Sequence, residues 1–283
     1  MALSSWLPSS VKTLVSDYDI VNSFLFQPPR EASYTHKEVL WMAGSDVPVI
    51  QVQTKLHKNT PLEKDPLTIV FFHGNACDLG DTRQFVENLA DQCKVNVISV
   101  EYPGYGVLND TTPRTSVFLA ACTKIVLHIL TRLDVLPSRL VLFGQSLGGA
   151  AALHVAAYLH EYHQMRVGGV ITQSAFASVQ GTAAAISSRF LGSWLGPLCS
   201  SLCVVERLDN LKAVSQLHPR TPLLLMHGDK DDVIPFSHMQ LLFNARASTN
   251  STAVVARDAN HNNISDRFVF QNINSFITKF IGH

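Results

Sequence analysis

From residue 67 onward, short runs of consecutive apolar residues alternate with longer stretches in which apolar positions return every three or four residues. The runs at 67–72, 95–100, 139–143, 167–172, 222–226 and 252–256 predict strands. The stretches at 80–92, 113–133, 237–246 and 264–280, and the Ala-rich residues after Gly148, predict helices. Strands that are apolar throughout, rather than at every second residue, must be covered on both faces. Their alternation with helices therefore predicts an α/β fold: a mostly parallel central sheet with helices on both sides. Two further strands, at 34–42 and 47–54, flank the turn-like Ala43-Gly44-Ser45-Asp46 and suit an antiparallel edge hairpin. Residues 55–66 are mostly polar, carry Pro61 and Pro66, and read as a loop.

The alternation breaks in two places. Residues 1–30 form an N-terminal extension, and within residues 6–27 Trp6, Leu7, Val11, Leu14, Ile20 and Phe24–Phe26 accompany a single basic residue, Lys12. With so little positive charge, packing on its own domain suits it better than lying on a membrane. The second break, at 176–210, is a short insertion rich in large apolar residues, among them Phe176, Phe190 and Trp194. Insertions at this point of such a sheet cap the ligand site. The cap is expected to offer Phe176, Phe190 and Trp194 to an apolar substrate pocket, the alternative for each being a place in the core. No repeat or low-complexity segment interrupts the rest.

A parallel sheet binds ligands beyond the carboxyl ends of its strands, so the residues after each predicted strand carry the candidate chemistry. After the run at 139–143 comes Gly144-Gln145-Ser146-Leu147-Gly148, a G-x-S-x-G placed between a strand and a helix. In that context the serine sits on a sharp turn that lifts its hydroxyl above the sheet. The glycines are required because side chains would collide where strand and helix are pinched together.

Composition narrows the partners. The 283 residues are 46% hydrophobic and 16% charged, enough for one sizeable core, and residues 1–283 are read as a single domain. Twenty-two basic residues against twenty-two acidic ones leave no net charge and no basic block, which argues against nucleic acid. Five scattered cysteines suit reduced thiols and a cytoplasmic setting. Cys199 and Cys203 lie one helical turn apart without further ligands, so neither metal nor cofactor is expected. No signal sequence, membrane-length apolar window or lipidation site is read, and membrane contact is expected to be peripheral at most.

A serine hydroxyl becomes a nucleophile only with a base in reach, itself held by a carboxylate. His261, in a loop of small polar residues after the last strand, is the expected base. Asp229, Asp231 and Asp232 crowd the turn after the preceding strand. Asp231 resembles the aspartate of the pattern H-G-x-x-D-x-x-[VI]-P, here running from His227 to Pro235, whereas its neighbours suit turn-capping or solvated positions. An oxyanion intermediate needs two preset donors. The backbone N–H of Leu147 and that of Asn75, in the loop after the run at 67–72, are expected to provide them. His73 reads as a packed, hydrogen-bonded imidazole.

Taken jointly, Phe72-His73-Gly74-Asn75-Ala76, Tyr102-Pro103-Gly104-Tyr105-Gly106, Gly144–Gly148, His227-Gly228 with Asp231, and His261-Asn262 resemble the serine hydrolases of the α/β-hydrolase superfamily. Within it they are similar to the eukaryotic α/β-hydrolase-domain-containing 13 and 17 groups. The resemblance implies the α/β-hydrolase fold and hydrolysis of acyl esters or thioesters through Ser146, His261 and Asp231. For the domain 17 group it implies removal of palmitate from protein cysteines, which would make S-acylated proteins the partners. Residues 1–28 depart from that group in holding no cysteine. Two other readings stand beside this one: a serine peptidase of the acylaminoacyl or prolyl type, and a non-catalytic binding protein on a hydrolase scaffold.

Overall fold

The computed structural model describes residues 25–42, 46–53, 67–179, 208–246 and 248–282. The apolar runs become the strands β3 (Thr68–Phe72), β4 (Asn96–Val100), β5 (Leu140–Gln145), β6 (Gly169–Gln173), β7 (Leu223–Gly228) and β8 (Ser251–Ala256). With β1 (Leu40–Trp41) and β2 (Pro48–Val52) they form one eight-stranded sheet in the order β1-β2-β4-β3-β5-β6-β7-β8. β2 pairs antiparallel with β1 and with β4, and all other neighbours are parallel. The fold is the α/β-hydrolase fold.

The reason for unbroken apolar strands is visible in the packing. Within β3, Val70 and Phe72 enter one core while Ile69 and Phe71 enter the other; β5 splits Leu140 and Leu142 from Val141 and Phe143 in the same way. The first core is closed by α2 (Thr115–Arg132), α3 (Leu147–His163) and α5 (Ser237–Ala245), the second by α1 (Leu79–Cys93) and α6 (Asp266–Phe280). α2 is long and apolar enough on its own to cross a membrane. Here Phe118, Cys122, Ile125 and Ile129 spend that apolarity inside the first core.

The chain leaves β3 towards β4 on one side and leaves β5 towards β6 on the other, with α1 and α3 on opposite faces. Adjacent strands whose connections depart in opposite directions leave a crevice at their carboxyl ends. That crevice lies between the ends of β3 and β5, where the loop His73–Ala76 and Ser146 emerge.

One strand is much shorter than expected. The strand read at 34–42 shrinks to Leu40–Trp41 because residues 35–38 close a turn: Glu38 N–H donates to the Thr35 carbonyl at 3.0 Å, and the Glu38 carboxylate accepts from the Thr35 N–H and hydroxyl at 2.8 Å each. A local side-chain cap defeats the strand pattern. The short helix α4 (Asn210–Ser215) was not read from the sequence and is N-capped by Asp209, whose side chain accepts from the Lys212 N–H. Residues 1–24 of the N-terminal extension and 180–207 of the cap, including Phe190 and Trp194, lie outside the described residues.

Candidate active site

Ser146 follows β5 with φ 51° and ψ −112°, a conformation that residues with a Cβ rarely adopt. A Cβ on Gly144 would strike the carbonyl of Gly148, and one on Gly148 would strike the carbonyl of Phe72. The strained turn is thus wedged between two backbones that only glycine allows to meet. Ser146 occupies the N-cap position of α3, yet its side chain makes no capping hydrogen bond. Serine is ordinarily among the preferred residues there because its oxygen accepts from the first turn. Here the hydroxyl turns instead to His261, whose Nε2 lies 3.1 Å from Oγ.

His261 is held by its other nitrogen. Its Nδ1 lies 2.8 Å from Asp231 Oδ2, and since a carboxylate only accepts, Nδ1 carries the proton and Nε2 is free to accept one. The two loops that bring this pair together are pressed into contact: a Cβ on Gly228 would collide with the carbonyl of Ala259, and Lys230 N–H donates to that carbonyl at 2.9 Å. The His261 turn is knitted by asparagines. Asn260 Oδ1 accepts from the N–H groups of Asn262 and Asn263 at 2.9 and 3.1 Å, and Asn263 Oδ1 accepts from the Asn260 N–H at 2.6 Å.

The three acids of the preceding turn separate cleanly. Asp229 accepts from the Asp258 N–H at 2.7 Å and so braces the His261 loop, while Asp232 is exposed. Asp231 faces the imidazole, and it also forms the turn that its position suggests: Oδ1 accepts from the N–H of Val233 at 3.0 Å and of Ile234 at 2.7 Å. His227, which the sequence showed only as part of a motif, adds a further partner. Its Nε2 lies 3.2 Å from Asp231 Oδ2 and 2.9 Å from the carbonyl of Ile234. Burial pushes the Asp231 pKa up. Hydrogen bonds from His227, from His261 and from the Ile234 N–H outweigh it, and the carboxyl ends well below its usual range.

The loop after β3 backs onto this turn. β3 and β5 pair in register up to Phe72 and Gly144, and a Cβ on Gly74 would lie 3.7 Å from the Gln145 side chain. Leu147 opens α3, so its N–H belongs to the first turn that lacks intrahelical acceptors. His73 is fully buried, with Nε2 3.0 Å from Glu101 Oε1 and Nδ1 2.9 Å from the Gly74 carbonyl. The side chain of Asn75 is engaged outside the Ser146 cluster, by Leu25, Gln27 and Tyr105. Phe176 is buried and packs in the first core, the alternative weighed for it against a pocket position. The ends of the cap return together: Ser178 and Asp209 form an antiparallel bridge, and Asn210 Nδ2 donates to the Phe176 carbonyl at 2.7 Å.

A sequence profile of the prolyl oligopeptidase family matches residues 119–283. Alpha/beta hydrolase domain-containing protein WAV2 of Arabidopsis thaliana is 26% identical over 219 residues, covering 75% of this chain and 68% of that one. Alpha/beta hydrolase domain-containing protein 17B of Homo sapiens is 27% identical over 176 residues, covering 62% of this chain and 54% of that one, about half the length of the human protein. Among solved structures, Est1E from Butyrivibrio proteoclasticus with ferulic acid bound superposes with a TM-score of 0.63 at 16% identity, over 87% of this chain and 99% of that one. At that identity the likeness concerns the fold.

Proposed function

The chain belongs to the prolyl oligopeptidase family, within the α/β hydrolases, and from that premise we propose that it is a serine hydrolase cleaving acyl esters or thioesters through Ser146, His261 and Asp231. The observation that carries the reading is the relay from Ser146 Oγ to His261 Nε2 at 3.1 Å and from His261 Nδ1 to Asp231 at 2.8 Å. In this mechanism Oγ attacks the acyl carbon as its proton passes to Nε2. Asp231, kept ionised, holds the ring and stabilises the imidazolium. The carbonyl electrons collect on an oxygen that the N–H groups of Leu147 and Asn75 receive, with the dipole of α3 helping. Collapse expels the alcohol or thiol, which takes the proton from His261. Water activated by the same histidine then releases the acid from the acyl-serine.

The sharpest form of this reading is protein depalmitoylation, supported by the match to protein 17B and by the apolar composition of the cap around Phe190 and Trp194. The family name supports a second reading, cleavage of acylaminoacyl or prolyl peptides, by the same relay.

One substrate series separates them: p-nitrophenyl esters from two to sixteen carbons below their micellar concentrations, matched thioesters, and blocked aminoacyl and prolyl p-nitroanilides. For an acyl pocket, each added methylene contributes about 0.8 kcal/mol, so kcat/KM should climb by up to roughly fourfold per carbon until the pocket is full. Turnover of the anilides with a flat ester series would replace the acyl reading by the peptidase one.

A further inference from the structure

Asn75 is gripped by three hydrogen bonds that the hydrolytic steps do not use. Its Oδ1 accepts from the Gln27 N–H at 2.8 Å and from the Tyr105 hydroxyl at 2.6 Å, and its Nδ2 donates to the Leu25 carbonyl at 2.9 Å. One amide side chain thus pairs with both the donor and the acceptor of a backbone segment fifty residues away, much as a neighbouring strand would. That segment is itself anchored, for Phe26 is 3% exposed and packs edge-on against Phe118 of α2 at 5.6 Å. Tyr105 is fully buried, and burial raises its phenol well above the ordinary value, so it remains a donor. It packs edge-on against Tyr102, whose hydroxyl donates to the His73 carbonyl at 2.8 Å.

The loop has reason to need such a grip. Ala76, next in the chain, has φ 59°, and the left-handed region costs a residue with a Cβ on the order of 1 kcal/mol. A backbone under that strain relaxes unless its surroundings hold it. The direction in which the Asn75 N–H points is therefore set by what grips the residue.

We propose that Asn75 is a positioning residue: Tyr105 and the seated segment 25–27 clamp its side chain and thereby aim its backbone N–H at the reaction oxyanion, so that seating of the N-terminal segment regulates turnover. The inference rests on the hydrolytic reading above. Its consequence is that loosening the segment slows the chemical step without altering the nucleophile, His261 or Asp231.

The test uses Tyr105→Phe, which removes one hydroxyl; Asn75→Ala, which removes all three bonds and keeps the N–H; the double variant; and Phe26→Ala, which touches the clamp only from behind. Each is assayed on a p-nitrophenyl ester and against a trifluoromethyl ketone, whose hemiketal oxygen occupies the oxyanion position. Deleting an oxyanion donor outright costs roughly 10²–10³ in kcat, and a misaimed donor should cost somewhat less. We expect kcat to fall roughly tenfold in Tyr105→Phe and roughly a hundredfold in Asn75→Ala, with KM within about twofold. Inhibitor affinity should fall by the same factors, and the double variant should be no worse than Asn75→Ala, since both act through one clamp. Phe26→Ala should behave like Tyr105→Phe. Wild-type kcat and inhibitor affinity in folded Tyr105→Phe and Phe26→Ala would reduce the clamp to a stabilising contact and overturn the proposal, whether or not Asn75→Ala folds. If Ser146→Ala leaves wild-type turnover intact, the hydrolytic reading itself falls and takes this inference with it.

Discussion

Ser146 has the conformation of a residue kept for its hydroxyl. It stands at a helix N-cap without capping and at a φ that strains any residue with a Cβ. On the proposed reading, removing the hydroxyl removes the nucleophile and little packing, so Ser146→Ala should abolish covalent labelling by a fluorophosphonate while the thermal midpoint stays nearly unchanged. Labelling that survives would move the nucleophile elsewhere. The neighbouring acids should differ just as sharply. Asp231→Asn leaves His261 without its acceptor and should lower turnover by about 10⁴, by analogy with the serine-protease aspartate, whereas exposed Asp232 should tolerate the same change. Asp231 also links the site to stability. Its carboxyl is depressed in the folded state, so its contribution is fully present above the unfolded value of about 3.9 and is lost as pH falls below it. The stability gap between the wild type and Asp231→Asn should therefore narrow on acidification below about pH 4, as read by denaturant unfolding, and a gap independent of pH would contradict the assignment.

At the level of elements, the buried carboxylate of Glu101 ties four segments into one corner. Oε1 accepts from His73 at 3.0 Å, at the end of β3, and from the Tyr102 N–H at 2.9 Å, at the end of β4. Oε2 accepts from the Leu79 N–H at 3.1 Å, at the start of α1, and from the Tyr34 hydroxyl at 2.7 Å. Every partner is a donor, so the amide of Glu101→Gln would turn two N–H groups against donors in a dry place. Breaking a buried charge network of this kind costs about 3 kcal/mol or more. At roughly 2–4 °C per kcal/mol for a chain somewhat smaller than this one, differential scanning calorimetry should show a fall of several degrees. An unchanged midpoint would mean that the corner does not depend on the carboxylate. Sequence patterns located the ends of β3 and β4 but not this hub, because Tyr34, His73 and Leu79 each lie 22 or more residues from Glu101 along the chain. The strand expected at 34–42 failed for the opposite reason: the Thr35–Glu38 cap is purely local and short enough to hide inside an apparent alternation.

For the whole molecule, the sheet order decides where substrate must come. The crevice opens at the carboxyl ends of β3 and β5, and the two described ends of the cap, Ser178 and Asp209, bridge each other. On the proposed acyl-hydrolase reading, the apolar sequence of the cap, Phe190 and Trp194 included, is expected to serve an acyl pocket. Trp194→Ala should then penalise long acyl chains more than acetyl, because the lost contact exists only for the longer substrate. Equal losses in kcat/KM across the ester series would assign Trp194 to the fold instead of the pocket.

The sequence by itself determined what depends on neighbours in the chain. Unbroken apolar runs dictated the strands buried on both faces, β3 to β7, while the edge strand β8 stays half-buried, and Gly144–Gly148 dictated a turn that only glycine permits. The position of His261 just after the last strand placed it on the rim where Ser146 emerges. The motif from His227 to Pro235 already singled out Asp231 among three neighbouring acids, and the tertiary structure supplied the physical reason, since the three share one turn and differ by what each side chain meets. Only the tertiary structure joined His227 to the carboxylate and Asn75 to Leu25, Gln27 and Tyr105. Backbone propensity and hydrophobic period are written locally, residue by residue. The partner of a buried hydrogen bond is set by how distant segments pack, and no local pattern encodes it.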